Sequence, residues 1–278
     1  TAACQLESRS AKMKSKVSER LEGQVALVSG ATGGMGSAIC KRLAMAGMRV
    51  IMLGRDEHKL TQSKHALGCA VQDAVLTHVV NIADPDSVRT AVDKISQRFS
   101  KIDLLVHAAG DGPVAALLET SESMWQQSVQ GKLMGTVRLT HAVAQEMCRY
   151  QEGHIVIVNG VFSKEPDPLF PINSTINCAL AGFAKSAARD LGRQGVRINV
   201  VNPGATQTPL WDEIAGAIGT RFDIPPEAVT EQVIGKIPLG RLATPTDVAN
   251  VVTMLASPSC AYLNGVTVNV DGGATAAL

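Results

Sequence analysis

The stretch VALVSGATGGMG, residues 25–36, opens with a short apolar run and closes in a cluster of glycines. Glycines at 30, 34 and 36 permit a tight turn and let the backbone come close to a bulky anion. SAICKRLAMAG, residues 37–47, follows with its apolar residues at helical spacing. A strand, a glycine turn and a helix in that order aim the helix's first N–H groups at a phosphate. Glycine clusters also serve plain structural turns, so it is the placement between a first strand and a first helix that carries the weight.

The same alternation continues outward from this stretch. RVIMLG (49–54), LTHVVNI (76–82), IDLLVHAAG (102–110), GHIVIVNG (153–160), VRINVVNPG (196–204) and GVTVNVDGG (265–273) read as further strands. DSVRTAVDKISQRF (86–99), the long segment 123–150, CALAGFAKSAARDLG and PTDVANVVTMLAS (245–257) read as helices. Most of the strand runs are continuously apolar, the mark of strands buried on both faces. Strand–helix alternation implies parallel pairing through right-handed crossovers. The predicted fold is α/β: a single-domain, Rossmann-type, doubly wound parallel sheet of about seven strands with helices on both faces. It is expected over residues 23–278, behind a polar N-terminal arm at 1–22. A segment at about 210–242 breaks the rhythm beside the strand ends and is expected to be a lid-like insertion.

Bulk properties exclude several classes. The 278 residues are 45% apolar and 18% charged, which suits a globular chain with a sizeable core. A net charge of +1 supplies no field for nucleic acid or a membrane surface. No apolar run approaches the roughly 18 residues of a membrane-spanning helix. The six cysteines are scattered without a CxxC pair, so no metal site is expected. They read as free thiols of an intracellular, reducing compartment, the cytoplasm or an organellar matrix, the mitochondrial one included. Residues 1–22 are Ser-rich and mildly basic, and a solvated arm is the preferred reading over a presequence remnant or a docking arm.

The second strand ends in Gly54-Arg55. An acidic residue there would accept the ribose hydroxyls of NAD, whereas an adjacent arginine suits the extra phosphate of NADP. NADP(H) is therefore expected in preference to NAD(H).

These features together resemble the short-chain dehydrogenase/reductase family, in particular 3-oxoacyl carrier-protein reductases, from about Gly23 to Gly273. The glycine loop matches the family's TGxxxGxG with Ser29 in the threonine place; HAAG (107–110) stands for NNAG, and NPGATQTP (202–209) matches the loop beside the nicotinamide. IPLGRLATPTDVANVV and YLNGVTVNVDGG match the family's C-terminal portion. The resemblance implies cofactor contacts from Ser29, Gly30, Thr32, Gly33, Gly34, Met35 and Gly36 in the loop. It adds Gly54, Arg55, Asn81 and Ile82 on one side, and Ala108, Ala109 and Gly110 in the middle. Pro203, Gly204, Thr206 and Thr208 complete the set. Asn81 replaces a common aspartate and still offers a carbonyl acceptor, and His107 is expected to be a packed, hydrogen-bonded residue.

The family's catalytic serine, tyrosine, lysine and asparagine are expected at Gly160, Asn173, Asn177 and Lys132. All four residue types differ. Neither Tyr150 nor Tyr262 has a lysine four residues on, so no shift of register restores the pair. Asparagine has no titratable proton near neutral pH and cannot act as a general acid, a role worth roughly 10²–10⁴ in rate. The expectation is therefore a non-catalytic member serving as a structural or regulatory subunit, as a homo-oligomer or within a larger assembly, with NADP(H) binding retained. One alternative is an NADP(H)-dependent oxidoreductase with a rebuilt site. Lys132 is its only catalytic candidate, because a desolvated lysine has a lowered pKa and can donate or accept a proton. Asn159, Asn173 and Asn177 would orient a polar substrate there. The other alternative is a module binding a different small ligand in the crevice.

Overall fold

The computed structural model describes residues 21–110 and 112–277. The expected arm lies almost wholly outside the described residues. Seven strands form one parallel sheet: β1 (Val25–Ser29), β2 (Arg49–Gly54), β3 (Val75–Val79), β4 (Leu104–His107), β5 (Gly153–Val158), β6 (Val196–Pro203) and β7 (Thr267–Val270). Their order is β3-β2-β1-β4-β5-β6-β7, so the chain winds outward to β3 and then returns to the other side of β1. That reversal opens a crevice at the carboxyl ends of β1 and β4, where Ser29 and His107 are register partners.

Alternation on β1 builds two cores. Ala26 and Val28 face the layer of helices α1 (Gly34–Met45), α2 (Glu57–Ala66) and α9 (Pro245–Ala256), through Ile39, Leu43, Leu60, Val248 and Val252. Val25 and Leu27 face the opposite layer, where Val92 of α3 (Pro85–Arg98), Leu139 of α5 (Gly135–Arg149) and Leu180 of α6 (Pro171–Leu191) pack. Each strand residue thus loses water on one side or the other, which is why these runs read as continuously apolar.

Two local readings need correction. A helix at Glu57–Ala66 was not anticipated, because only Leu60 on it is buried and no apolar stripe marks it. It is set instead by its cap, the Asp56 carboxylate accepting from Lys59 N–H at 3.0 Å. The segment expected as one long helix is α4 (Glu122–Ser128), a π-helical turn at Val129–Met134, and α5. The segment after β6 contains α7 (Pro209–Phe222) and α8 (Pro226–Ile234), so the interruption in the strand–helix rhythm is itself helical.

No helix among the described residues is long and apolar enough to cross a membrane. The five described cysteines are free thiols.

Candidate active site

The crevice at the strand reversal is a cleft of about 670 Å³. Its floor is the glycine loop. Gly30 has φ +69, the left-handed region, and a Cβ there would run into the Ala108 carbonyl. A Cβ on Gly36 would strike the Gly30 carbonyl, and one on Gly34 would come within 2.9 Å of Thr208 Cγ2. The loop is therefore as tight as the chain permits. Gly33 caps α1 with no side-chain hydrogen bond, and the first turn carries no acidic residue. The first N–H groups of α1, which have no partner within the helix, are left for a ligand at the cleft wall. This cradle fits the pyrophosphate of a dinucleotide.

At one end of the cleft stand Gly54 and Arg55 from the end of β2, with Asn81 and Ile82 after β3. Asn81 accepts from Ala83 N–H at 3.2 Å, which ties one lone pair of its amide oxygen into its own turn.

The other end is built from β4, the π-turn and β5. Lys132 sits on the π-turn, 5% exposed. Its stem covers Gly110, where a Cβ would approach Lys132 Cβ to 2.7 Å, so glycine at 110 (φ +95) makes room for the lysine. A π-turn widens the helix by one residue and re-aims the side chains on it. Asn159, at the end of β5, donates from Nδ2 to the Asn177 carbonyl at 3.0 Å. The buried Oδ1 atoms of Asn159 and Asn177 have no hydrogen-bond partner. Asn173 Nδ2 reaches the Gly112 carbonyl at 3.4 Å.

Behind this end, a hydrogen-bond chain fixes the loop after β5. Gly160 N–H donates to Asn202 Oδ1 at 3.3 Å, Asn202 Nδ2 donates to Ser163 Oγ at 2.8 Å, and Ser163 Oγ donates to the Gly160 carbonyl at 3.0 Å. The Ser163 hydroxyl proton is thus committed to its own loop. His107 is fully buried between Thr140 Oγ1 at 2.9 Å and Ser29 Oγ at 3.5 Å, and burial pushes its pKa down to about 3. It is a neutral packed residue.

The cleft brings together Ser29, Gly30, Thr32, Gly33, Gly34, Met35, Gly36, Gly54, Arg55, Asn81, Ile82, Ala108, Ala109, Gly110, Lys132 and Thr208. Gly160, Asn173 and Asn177 are not on its wall, but each adjoins a residue that is: Gly160 follows Asn159, Asn177 accepts from Asn159, and Asn173 donates to the Gly112 carbonyl. Pro203, Gly204 and Thr206 also stand off it: Pro203 ends β6, and Thr206 Oγ1 donates to the Gly204 carbonyl at 2.9 Å. Gly112, Pro113, Gln127, Ser128, Gly131 and Leu210 line the cleft without having been singled out in the sequence. Only the helical spacing of the 123–150 segment bore on Gln127, Ser128 and Gly131, and it gave no sign of the π-turn. Among the described residues no cluster of side chains can hold a metal ion.

Comparison with known proteins gives this site its class. A family model described as Enoyl-(Acyl carrier protein) reductase matches residues 30–275. The 3-oxoacyl acyl-carrier-protein reductase of Thermotoga maritima is 31% identical over 255 residues, covering 91% of this chain and 98% of its own. The Escherichia coli protein of the same name is 30% identical over 257 residues, covering 91% and 97%. The chain belongs to the short-chain dehydrogenase/reductase family. Among solved structures, a variant of actinorhodin polyketide ketoreductase with NADPH superposes with a TM-score of 0.87 at 27% identity, covering 91% of this chain and 98% of that one. L-sorbose reductase from Gluconobacter frateurii, complexed with NADPH and L-sorbose, superposes with a TM-score of 0.85 at 27% identity, covering 92% and 98%.

These likenesses correct the expectation of a non-catalytic subunit, and with it the module for an unrelated ligand. The relatives are named reductases along nearly their whole length, and solved neighbours hold NADPH. The cleft has kept its glycine floor and carries a buried lysine on its wall.

Proposed function

We propose that this chain is an NADP(H)-dependent oxidoreductase that interconverts a carbonyl compound and its alcohol, with Lys132 as the proton donor. The observation that carries this is Lys132 itself: a buried ammonium-bearing side chain on the cleft wall, with Gly110 cut back to admit its stem. NADPH, when bound, supplies the hydride that reduces the carbonyl carbon. Arg55 at the far end suits the phosphate that distinguishes NADPH from NADH. The N–H groups opening α1 would hold the pyrophosphate. As charge develops on the carbonyl oxygen, the Lys132 ammonium stabilises it and gives up one proton to it, leaving a neutral amine that solvent reprotonates. Asn159 lines the same end of the cleft, its carboxamide held by the Asn177 carbonyl. We also propose that the chain self-associates, since β7 is hydrogen-bonded to a neighbour on one side only and Tyr262 beside it is fully exposed.

The test is a fluorescence titration of the purified protein with NADPH and NADH, followed by turnover with a panel of ketones and aldehydes. The expected result is micromolar or tighter NADPH binding, weaker NADH binding, and oxidation of NADPH by at least one carbonyl compound. Lys132→Ala should lower kcat by roughly 10²–10⁴, the worth of a general acid, with NADPH affinity little changed. Unchanged kcat in that variant would remove Lys132 from the chemistry. Absence of NADPH binding would overturn the whole reading.

A further inference from the structure

The loop after β5, residues 160–170, is held at both ends beside the cleft. It leaves the sheet after Asn159, which is on the cleft wall. Its first turn is fixed by the Ser163 hydroxyl, which donates to the Gly160 carbonyl at 3.0 Å and accepts from Asn202 Nδ2 at 2.8 Å. Its last turn docks on the segment after β4, Ala115 N–H donating to the Leu169 carbonyl at 2.9 Å. That segment lines the cleft just before, at Gly112 and Pro113. The rings of Phe162 and Phe170 stack with centroids 4.7 Å apart, which closes the loop on itself.

Between these fixed ends, residues 164–166 are exposed. From this stretch Glu165 reaches the C-terminal tail: its Oε1 accepts from Ala276 N–H at 2.5 Å and from Ala277 N–H at 2.9 Å. One carboxylate oxygen thus takes two successive backbone donors, a charge-assisted grip that does not depend on the side chains of the tail. The tail is itself moored. The Asp271 carboxylate accepts from Gly273 N–H and from Thr275 N–H, each at 3.0 Å, and so turns the chain after β7. Gly204 N–H donates to the Val270 carbonyl at 3.0 Å and Leu239 N–H to the Gly272 carbonyl at 3.2 Å, which fastens this turn to the segment after β6. Glu165 therefore ties the loop after β5 to a post that the rest of the fold already holds.

We propose that Glu165 is a positioning residue: by gripping the backbone of Ala276 and Ala277 it holds the loop after β5 in place, and through Leu169 it steadies the cleft-wall segment at 112–115. The C-terminal residues thereby support the site although the cleft wall includes none of them. Only the consequence, a lower KM for the carbonyl substrate, rests on the reductase reading. The grip itself acts in the ligand-free chain.

Four full-length proteins test this: the unmodified chain, Glu165→Ala, Glu165→Gln, and Ala276→Pro combined with Ala277→Pro. Glutamine keeps an acceptor oxygen at the same reach and alanine removes it, whereas the prolines remove the two N–H donors and leave Glu165 intact. In hydrogen–deuterium exchange of the ligand-free proteins, amides of 161–170 and of Ala115 should exchange about two- to tenfold faster in Glu165→Ala and in the proline variant, the net worth of a typical hydrogen bond. Glu165→Gln should stay near the unmodified rate, and the glycine loop at 30–36 should be unaffected in all four. Unchanged exchange in Glu165→Ala and in the proline variant would overturn the grip. Faster exchange that stops short of Ala115 would overturn the positioning of the cleft wall. In turnover, KM for the carbonyl compound should rise by a similar factor in the same two variants, with kcat and NADPH affinity held and with Glu165→Gln restoring it; an unmoved KM would reduce Glu165 to a surface contact. If the unmodified chain neither binds NADPH nor reduces any carbonyl compound, the reductase reading fails, and the exchange pattern still decides the grip and its reach to Ala115.

Discussion

His107 and His154 show how far a buried side chain can be moved from its solution chemistry. Burial pushes the pKa of each down to about 3, helped at His154 by the charge of Arg197. In the unfolded chain each takes up a proton near its ordinary value of about 6.5. Between about 6.5 and 3 the unfolded state thus binds more protons, so stability rises with pH and is lost on acidification. Each histidine contributes a slope of up to about 1.4 kcal/mol per pH unit in that window. The paired carboxylates Asp247 and Glu119 are shifted down from values that are already lower, so their losses begin at more acid pH. Urea midpoints should therefore fall steadily from about pH 7 to about pH 5. Replacing His154 with Gln should flatten that fall while leaving part of it to His107. A midpoint independent of pH over this range would mean that both rings can be protonated in the folded chain.

At the scale of elements, the glycine loop and the π-turn shape the two ends of the cleft and differ in how much of them the sequence discloses. The loop was legible because its requirement is local. Gly30 needs a positive φ and Gly36 must pass the Gly30 carbonyl, and both needs appear as glycine at fixed offsets after β1. Gly36→Ala should accordingly cost NADPH affinity by more than about tenfold, since a Cβ there meets fixed backbone rather than a movable side chain. The measurement is the same fluorescence titration, with far-UV circular dichroism to show the fold retained. Affinity equal to the parent would mean that the loop relaxes without cost. The π-turn was not legible, because VQGKLM carries no signal separating it from α-helix, and the contact its Lys132 makes is with Gly110, 22 residues earlier in the chain. The burial of Lys132 follows from that contact, so its site could be suspected from residue type but not seen. Helix α2 escaped for the opposite reason: with Leu60 its one buried residue, nothing apolar recurs along it. Asn173 and Asn177 were read as facing the reaction. Asn177 is bonded through its carbonyl to Asn159 and Asn173 to the Gly112 carbonyl, each one residue back from the cleft wall.

Across the whole molecule, the two cores meet the cleft from opposite sides of one sheet. Helices α1 and α9 belong to the first core, α5 and α6 to the second, and the cleft lies where β1 and β4 separate them. A ligand in that crevice touches the glycine loop from one half and Lys132 and Asn159 from the other, so it is bound by the folded chain and not by the unfolded one. Mass action then requires that it stabilise the fold, by about 2.7 kcal/mol at a hundredfold excess over Kd. For a chain of this size that is a rise in Tm of roughly 5 °C or more. NADPH should produce such a shift, and NADH at the same concentration a smaller one, because only NADPH carries the phosphate that Arg55 can meet. Equal shifts from the two would remove Arg55 as the source of preference while keeping the cleft as a dinucleotide site. No shift from either, at concentrations well above micromolar, would mean that the glycine loop serves the turn between β1 and α1 and nothing more.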